Sequence, residues 1–281
     1  MSFSYKSLKI DELTIKIGAE KPFKFLHASD IHLARFDPEK PCNRFEDIRD
    51  NIDTYFIQLC EYCRENNIPM VDTGDIIDFI STANLEFMKK TLEGVDHIYA
   101  AGNHDFCHWV GDATENNQYK WRNMKKVAKY FDCNLHFDSR IINGVNFVTI
   151  DDGYYLFTQG QFDMLKAEVA RDLPIILCLH VPLYTQKLGQ RALDNGTPTY
   201  LTATPLEIIE TYKDPQRRFQ QEADDVTLRM VDYIKNEPLI KAVFAGHTHT
   251  PNHFDEALTD TKMQYVSSCA YNGLARLVTV E

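Results

Sequence analysis

Five short segments of this chain combine aspartate, histidine and asparagine at spacings suited to metal binding. In chain order they are Asp30-Ile31-His32, Gly74-Asp75-Ile76-Ile77-Asp78, Gly102-Asn103-His104-Asp105, His180 and Gly246-His247-Thr248-His249. Carboxylate and amide oxygens together with imidazole nitrogens form the ligand sets of Mn, Fe, Zn, Ni and Co sites. The segments therefore predict metal-dependent chemistry at a site assembled from distant parts of the chain.

The first and last segments each place two ligand-type residues two positions apart. In an extended backbone such residues point to the same side, so Asp30 and His32 can reach one ion. A helix N-cap followed by a surface histidine explains that pair equally well. His247 and His249 share the same spacing after Gly246, and two histidines there indicate metal ligands more strongly.

The second and third segments contain the residue types needed for a bridge between ions and for an acid. Gly74 permits a sharp turn, and the two oxygens of Asp75 can bridge two cations. Asp78 is expected to return beside Asp75 as a hydrogen-bonding partner, although a helix N-cap also fits it. Asn103 offers a neutral oxygen ligand, which leaves His104 to act as an acid. A simple turn leaves this histidine unexplained.

His180 follows the apolar run 175–179, where a lone histidine is more often a hydrogen-bonded core residue. Val181 and Pro182 mark the start of a loop, which favours exposure of His180 at the edge of a sheet. His27 precedes the first segment and is expected to pack within its strand rather than to bind a metal.

Apolar stretches that we predict as strands precede these residues. The predicted strands are 23–26, 70–71, 98–100, 175–179 and 239–244. The predicted helices are 45–64, 85–92, 119–131, 161–169 and 230–234. Asn143-Gly144 predicts a hairpin turn, and the tail reads as further strands. Strands that alternate with helices and end in polar residues are typical of α/β folds with sites at the carboxyl ends of strands.

The 281 residues, 44% of them hydrophobic, suffice for one large α/β domain with a sizeable core. We expect a single domain over residues 1–281 with a variable loop region at about 182–225. A polar loop beside a site is a usual place for substrate selection, and a solvated excursion fits the composition equally well. The segment 106–109 is a second candidate for a wall of the site.

Charge and cysteine content limit the partners and the compartment. A net charge of −11, from 30 basic and 41 acidic residues, makes a nucleic-acid substrate unlikely on electrostatic grounds. No apolar run is long enough to span a membrane, and residues 1–6 lack the pattern of a secretory signal. Seven cysteines argue against a disulfide framework, and Cys60 and Cys63 are expected to pack within a helix. We therefore expect a cytoplasmic protein with a small substrate and no obligatory protein partner.

In order and spacing the five segments resemble the calcineurin-like metallophosphoesterases. Their pattern runs Asp-x-His, Gly-Asp-x-x-Asp, Gly-Asn-His-Asp/Glu, His and Gly-His-x-His, and the likeness extends from residue 30 to residue 249. The resemblance implies an α/β fold, a four-layer α/β/β/α sandwich with two central mixed sheets. It implies two metal ions, one held by Asp30, His32, Asp75 and His249, the other by Asp75, Asn103, His180 and His247. His104 would then be an acid or a phosphate contact, and Asp78 would orient it.

The resemblance also implies hydrolysis of a phosphomonoester or a phosphodiester, with Mn, Fe or Zn as the metals. A hydroxide that bridges the ions would attack phosphorus, and His104 would assist the leaving oxygen. Asp78 stands where purple acid phosphatases have tyrosine, and Phe79-Ile80 replaces the Arg-Gly of Ser/Thr protein phosphatases, so both branches fit poorly. A nuclease-type DNA phosphodiesterase, a non-catalytic metal-binding scaffold and a metal-dependent hydrolase of other bonds remain alternatives.

Overall fold

Eleven strands lie within residues 8–108 and 116–281, the parts of the chain that the computed structural model describes. The strands are β1 Lys9–Ile15, β2 Phe23–Ala28, β3 Met70–Asp72, β4 His97–Tyr99, β5 Phe137–Ile142, β6 Val145–Ile150, β7 Ile175–Cys178, β8 Ile240–Ala245, β9 Phe254–Thr259, β10 Lys262–Val266 and β11 Leu274–Val280. The helices are α1 Arg49–Asn66, α2 Thr82–Leu92, α3 Asn117–Val127, α4 Gln159–Val169, α5 Gln186–Asp194, α6 Leu206–Ile209, α7 Pro215–Gln221 and α8 Asp225–Asn236. Residues 1–6, which bear on a secretory signal, and Trp109 lie outside the described residues.

The strands form two mixed sheets. The first has the order β1-β11-β2-β3-β4, and the second has the order β5-β6-β7-β8-β10-β9. Strands β2, β3 and β4 run parallel to one another, as do β6, β7 and β8. Antiparallel pairs join β11 to β2, β5 to β6 and β10 to β9. Strand β10 also runs parallel to β8, so one edge collects the carboxyl ends of three parallel strands in the first sheet and of four in the second.

The sheets pack against each other, and helices cover both outer faces. Alternate side chains of a strand point to opposite faces, so Phe25 faces the second sheet whereas Leu26 faces α1. The Phe25 and Phe147 rings meet between the sheets with centroids 5.4 Å apart. Helices α1, α2 and α3 pack on the first sheet, and α4 and α8 pack on the second. The predicted four-layer α/β/β/α sandwich is confirmed.

Local sequence explains where some elements begin and end. Asn143 and Gly144 have φ values of 46° and 78° and form the predicted hairpin turn between β5 and β6. The helix predicted from residue 45 begins instead at Arg49, because Phe45 has a left-handed φ of 54°. None of the helices in the described parts of the chain has the length and hydropathy that crossing a bilayer requires.

The segment expected as a loop at about 182–225 contains the three helices α5, α6 and α7. Side-chain caps begin two of them, because Thr185 accepts a hydrogen bond from the backbone N–H of Leu188 and Asp214 accepts one from that of Gln216. These helices have only 9, 4 and 7 residues, which is why their periodicity does not stand out in the sequence. Cys60 and Cys63 are buried on α1, as expected.

Candidate metal centre

The five predicted segments meet at one edge of the sandwich. The first three follow the carboxyl ends of β2, β3 and β4 in the first sheet, and the last two follow β7 and β8 in the second. In the turns, the backbone N–H of Asp30 donates to Gly74 O at 2.9 Å, and that of Gly246 donates to His180 O at 3.0 Å. The site is therefore built from both sheets, with its side chains carried on short connections rather than on long loops.

Four of the predicted ligands form a first cluster, in which the donor atoms lie within 4.8 Å of one another. Its members are Asp30, His32, Asp75 and His249. His249 Nε2 lies 3.0 Å from both Asp30 Oδ1 and His32 Nε2. His32 Nε2 lies 3.7 Å from Asp75 Oδ2. The His249 side chain is 38% exposed and the others are buried, so this cluster is accessible from one side.

A second cluster surrounds His180. Its Nε2 lies 3.2 Å from Asp75 Oδ2, 3.1 Å from Asn103 Oδ1 and 3.1 Å from His247 Nδ1. Asp75 Oδ2 therefore faces both clusters, while Asp75 Oδ1 accepts a hydrogen bond of 2.8 Å from the backbone N–H of His104. This is the position that a carboxylate bridging two cations requires.

Hydrogen bonds on the far side of two rings determine which nitrogen faces the clusters. His180 Nδ1 donates to Thr73 O at 2.7 Å, and His32 Nδ1 donates to Asp78 Oδ1 at 3.0 Å. Their Nε2 lone pairs then point at nitrogens of neighbouring histidines, 3.1 and 3.0 Å away. Lone pairs this close repel unless a proton or a cation lies between them, so the donor set fits two metal ions.

The carboxylates create a negative field that shifts the pKa values of the histidines. Burial lowers the pKa of His32, but hydrogen bonds to Asp30 and Asp78 outweigh it and raise the pKa to about 10. Burial likewise opposes protonation of His180, yet the charge of Asp75 raises its pKa to about 10. Burial and the charge of His180 lower the pKa of His247 to about 3, so this ring is neutral. A field that holds protons this firmly also attracts cations.

His104 lies beside the clusters and is held by Asp78. His104 Nδ1 lies 3.0 Å from Asp78 O and 3.2 Å from Asp78 Oδ1. Burial lowers the pKa of His104, but the charge of Asp75 and the hydrogen bond to Asp78 outweigh it and raise the pKa. With Nδ1 engaged, Nε2 is the ring nitrogen left to face a substrate.

Arg44 binds the other side of Asp78 and was not anticipated from the sequence. Its Nε donates to Asp78 Oδ2 at 2.5 Å and its Nη2 donates to Asp78 Oδ1 at 2.9 Å. Burial raises the pKa of Asp78, but hydrogen bonds from His104, His32 and Arg44 hold it well below the usual value. Arg44 lies in a polar stretch without a motif, so nothing in the sequence connects it to residue 78.

Asp152 is a second supporting residue that lies outside the five motifs. Its Oδ1 accepts hydrogen bonds of 3.0 Å from the backbone N–H groups of His180 and Val181. A signal was present, because Asp151-Asp152-Gly153 directly follows the apolar strand β6 in the same way that the other segments follow theirs.

Asp105 and Tyr155 also support the ligands. Asp105 belongs to the third segment, and its Oδ2 accepts from the backbone N–H of Asp75 at 3.0 Å and that of Gly102 at 2.7 Å. Tyr155 Oη lies 3.1 Å from His247 Nε2, on the side of the ring opposite the second cluster. Both residues fix the orientation of a ligand through an atom that does not face the clusters.

The backbone at the ligands is left-handed rather than extended. Asp30, His32, Asp75, His247 and His249 have φ values of 56°, 52°, 56°, 67° and 46°. The extended geometry expected for the two i, i+2 pairs is therefore wrong, because the chain turns sharply at each strand end. His247 and His249 face different clusters, whereas Asp30 and His32 face the same one. Each such φ costs about 1–2 kcal/mol in a non-glycine residue and tends to occur at functional sites.

A cavity of about 400 Å³ adjoins both clusters. It is bordered by His104, His247 and His249 and by residues of the segment 182–225, so that segment does form a wall. In the other predicted wall, Phe106 and Cys107 are buried in the core and His108 borders a different cavity. His27 is packed in β2, as expected, with Nε2 3.0 Å from Thr73 Oγ1.

Comparisons with known proteins place these features in context. A family model described as calcineurin-like phosphoesterase matches residues 23–251. A dimetal phosphatase from Danio rerio has a similar structure, with a TM-score of 0.54, 12% identity, and coverage of 89% of this chain and 88% of that chain. A putative 5'-nucleotidase from Staphylococcus aureus gives a TM-score of 0.46 and 13% identity over 89% of this chain and 49% of that chain. No curated protein sequence matches significantly.

Proposed function

The chain belongs to the calcineurin-like phosphoesterase family, and we propose that it hydrolyses a phosphomonoester or phosphodiester with two metal ions bound in the two clusters. One observation carries this proposal: Asp75 Oδ2 faces both clusters, at 3.7 Å from His32 Nε2 and 3.2 Å from His180 Nε2. Mn, Fe and Zn all suit this mixture of oxygen and imidazole donors.

In the proposed reaction each side chain would have its own task. Asp30, His32 and His249 would hold one ion, Asn103, His180 and His247 the other, and Asp75 both. The bound ions would neutralise phosphate oxygens and increase the acidity of the attacking water. His104 Nε2 would donate a proton to the leaving oxygen or stabilise the charge that develops there. Asp78 would keep the ring of His104 in place through Nδ1.

We propose a small phosphorylated substrate and a cytoplasmic location. A cavity of about 400 Å³ falls in the range of small-molecule sites, about 300–1,000 Å³. The net charge of −11 is unfavourable for binding DNA, which weighs against the nuclease alternative. All seven cysteines are free thiols, which suits a reducing compartment.

Two substitutions test the proposed function. Activity would be measured on p-nitrophenyl phosphate and bis(p-nitrophenyl) phosphate with Mn, Fe or Zn, and bound metal by elemental analysis. We expect His104→Ala to lower kcat by about 10²–10⁴-fold with unchanged metal content, because only proton transfer is removed. Asp75→Asn should lower both metal content and activity, because a bridging carboxylate is lost.

His108→Ala is the matched control, since this histidine borders a different cavity. Full activity in the His104→Ala variant would contradict the assignment of the acid. Absence of hydrolysis in the metal-loaded wild type, including on single- and double-stranded DNA, would favour the scaffold alternative.

A further inference from the structure

One wall of the cavity beside the metal clusters comes from the connection between β7 and β8. This connection begins at the proposed ligand His180 and includes α5 and the turn that follows it. Because the wall faces the space next to His247 and His249, it would contact the part of a substrate that is not transferred. The inference below rests on the proposed function and concerns that part of the substrate.

The wall is fixed to the frame that holds the ligands. The backbone N–H of Thr202 donates to Pro182 O at 2.9 Å, and that of Tyr184 donates to Thr202 O at 2.9 Å. Thr202 Oγ1 also lies 3.3 Å from Asp152 Oδ2, and Asp152 holds the backbone of His180. A wall anchored in this way has a defined distance from the clusters, which substrate selection requires.

Two tyrosines narrow the cavity beside His247. The ring centroids of Tyr155 and Tyr200 lie 5.6 Å and 6.2 Å from that of His247. Both tyrosines have left-handed φ values, of 66° and 53°, which are rare for bulky residues. The backbone N–H of Tyr200 donates to the buried Gln221 Oε1 at 3.2 Å, which helps to hold this conformation.

Two arginines bring positive charge to the same cavity. The guanidinium of Arg217 lies 5.7 Å from the ring centroid of Tyr200. The guanidinium of Arg191 lies 5.1 Å from the ring centroid of Phe254. Within the described residues Arg191 forms no ion pair. Asp75 is the one acidic residue in the described lining, and it faces the metal clusters. The wall is therefore cationic in a chain whose net charge is −11.

We propose that Arg191 and Arg217 bind a second anionic group of the substrate, so that the natural substrate is a small phosphate ester whose remaining part carries a carboxylate or another phosphate. The metal clusters would bind the reacting phosphate, which occupies only part of the 400 Å³ cavity. A planar guanidinium binds both kinds of anion through paired hydrogen bonds. The overall negative charge would otherwise repel such a substrate.

Binding of stable analogues tests this inference without turnover. For each chain length from two to four carbons, the Mn-loaded protein would be titrated calorimetrically with an alkylphosphonate, the matching phosphonocarboxylate and the matching bisphosphonate. We expect at least one two-anion ligand to bind about 10–100-fold more tightly than its alkylphosphonate. The carboxylate and bisphosphonate series show which second anion is preferred.

Arg191→Met and Arg217→Met should each remove most of that preference while changing alkylphosphonate affinity less than threefold. Arg191→Lys and Arg217→Lys, which keep the charge, should retain part of it. Lys187→Met is the matched control, because Lys187 is also on α5 and near Phe254 but does not line the cavity beside the clusters; it borders a neighbouring cavity that Arg191 also lines. Circular dichroism would verify folding of each variant.

The inference is overturned if no two-anion ligand is preferred at any length, or if the preference survives both arginine substitutions. Hydrolysis of aryl phosphates by the same wild-type preparation would then leave the proposed function standing. Conversely, selective binding of two-anion ligands without hydrolysis of any ester would contradict the proposed function but support the anion site.

Discussion

At the scale of single residues, Asp78 connects a proposed ligand, the proposed acid and an arginine. Its Oδ1 lies 3.0 Å from His32 Nδ1 and 3.2 Å from His104 Nδ1, and Arg44 binds both of its oxygens. Because these donors keep the pKa of Asp78 low, the carboxylate stays charged although it is buried. One side chain therefore sets the orientation of two rings that have different tasks.

Arg44→Met should lower kcat about tenfold with little change in metal content. The substitution removes two charge-assisted hydrogen bonds to Asp78, so His104 is held less firmly. It also removes a positive charge that opposes protonation of His104, so the pKa of His104 rises. The alkaline limb of the pH–kcat profile should therefore move to higher pH.

Arg44→Lys keeps the charge and should restore the position of that limb, though not the full kcat, because lysine cannot bind both oxygens in the same way. Arg140→Met is the control, since Arg140 forms an exposed ion pair with Asp96. An unchanged pH profile in the Arg44→Met variant would mean that Arg44 has only a structural role.

The sequence indicated the residues that lie directly after strands, because residue type and strand end are both readable along the chain. Asp152 follows the same rule and was recoverable. Arg44 and Tyr155 reach the site through tertiary contacts, which no local pattern reports. Spacing alone does not reveal that His249 belongs to the first cluster and His247 to the second, because Asp30 and His32 have the same spacing and share one cluster.

At the scale of elements, the site depends on how closely the strand-end turns approach one another. Gly74 follows β3 with a φ of +98°, a value that side chains rarely adopt. A Cβ at this position would lie 2.6 Å from His180 Nδ1 and 2.7 Å from the backbone nitrogen of Gly102. Three turns, from β3, β4 and β7, meet at this glycine.

Gly74→Ala should therefore lower the free energy of unfolding by about 3 kcal/mol or more, from backbone strain together with overpacking. Gly196→Ala is the matched control, with a φ of +74° and no atom within 4 Å of the added Cβ. Gly196→Ala should lower the free energy of unfolding by only about 1 kcal/mol. Urea unfolding of the two variants measures the difference, and equal losses would show that the close approach has no energetic effect.

The strands were easier to predict than the helices of the segment 182–225. Apolar runs such as that of β7 are buried on both faces, so composition alone identifies them. Helices α5, α6 and α7 have 9, 4 and 7 residues, too short to be stable without tertiary contacts. Side-chain caps on α5 and α7, together with packing against the sandwich, stabilise these helices.

At the scale of the whole molecule, a buried ion pair connects the two halves next to the site. Lys120 is on α3, which packs on the first sheet, and Asp151 follows β6 in the second. Lys120 Nζ lies 2.9 Å from Asp151 Oδ2, with both side chains almost fully buried. Burial raises the pKa of Asp151, but the charge of Lys120 outweighs it and lowers the pKa.

Lys120→Met should lower the free energy of unfolding by about 3–5 kcal/mol at pH 7, because it leaves a buried carboxylate without its partner. The folded-state pKa of Asp151 lies below the unfolded value of about 3.9, so the pair stabilises above that pH and its contribution is lost in acid. Without Lys120, burial raises the pKa of Asp151 above the unfolded value, so the difference from wild type should already shrink as the pH falls from 7 toward 4 and should shrink further below about 4. Denaturant unfolding of both proteins between pH 7 and acid pH measures this difference in the free energy of unfolding.

Asp151→Asn in the Lys120→Met background should recover much of the loss, because no unpaired charge then remains. Arg140→Met breaks an exposed pair and should cost less than about 1 kcal/mol. A loss in the Lys120→Met variant that is no larger than this would argue against a stabilising pair between the halves.

Metal removal should destabilise the whole molecule, since the proposed ligands come from both sheets. Metal at about 100 times its dissociation constant stabilises by about 2.7 kcal/mol, which corresponds to a Tm rise of roughly 5 °C for a chain of this size. Chelation of the Mn-loaded protein should lower Tm by that amount. Asp75→Asn should abolish the metal-dependent shift, and an equal shift in that variant would place the stabilising metal elsewhere.

The connection from β7 to β8 has a wider consequence for how such a protein can change over time. The proposed ligand His180 stands at its start and His247 follows β8, while one wall of the cavity lies between these two ligands. Residues between the anchors Tyr184 and Thr202 can be exchanged without altering the register of the strands that carry the ligands. If the proposed roles hold, most residues that select the substrate lie in a stretch of chain separate from the metal ligands, and a new substrate can be acquired without changing those ligands.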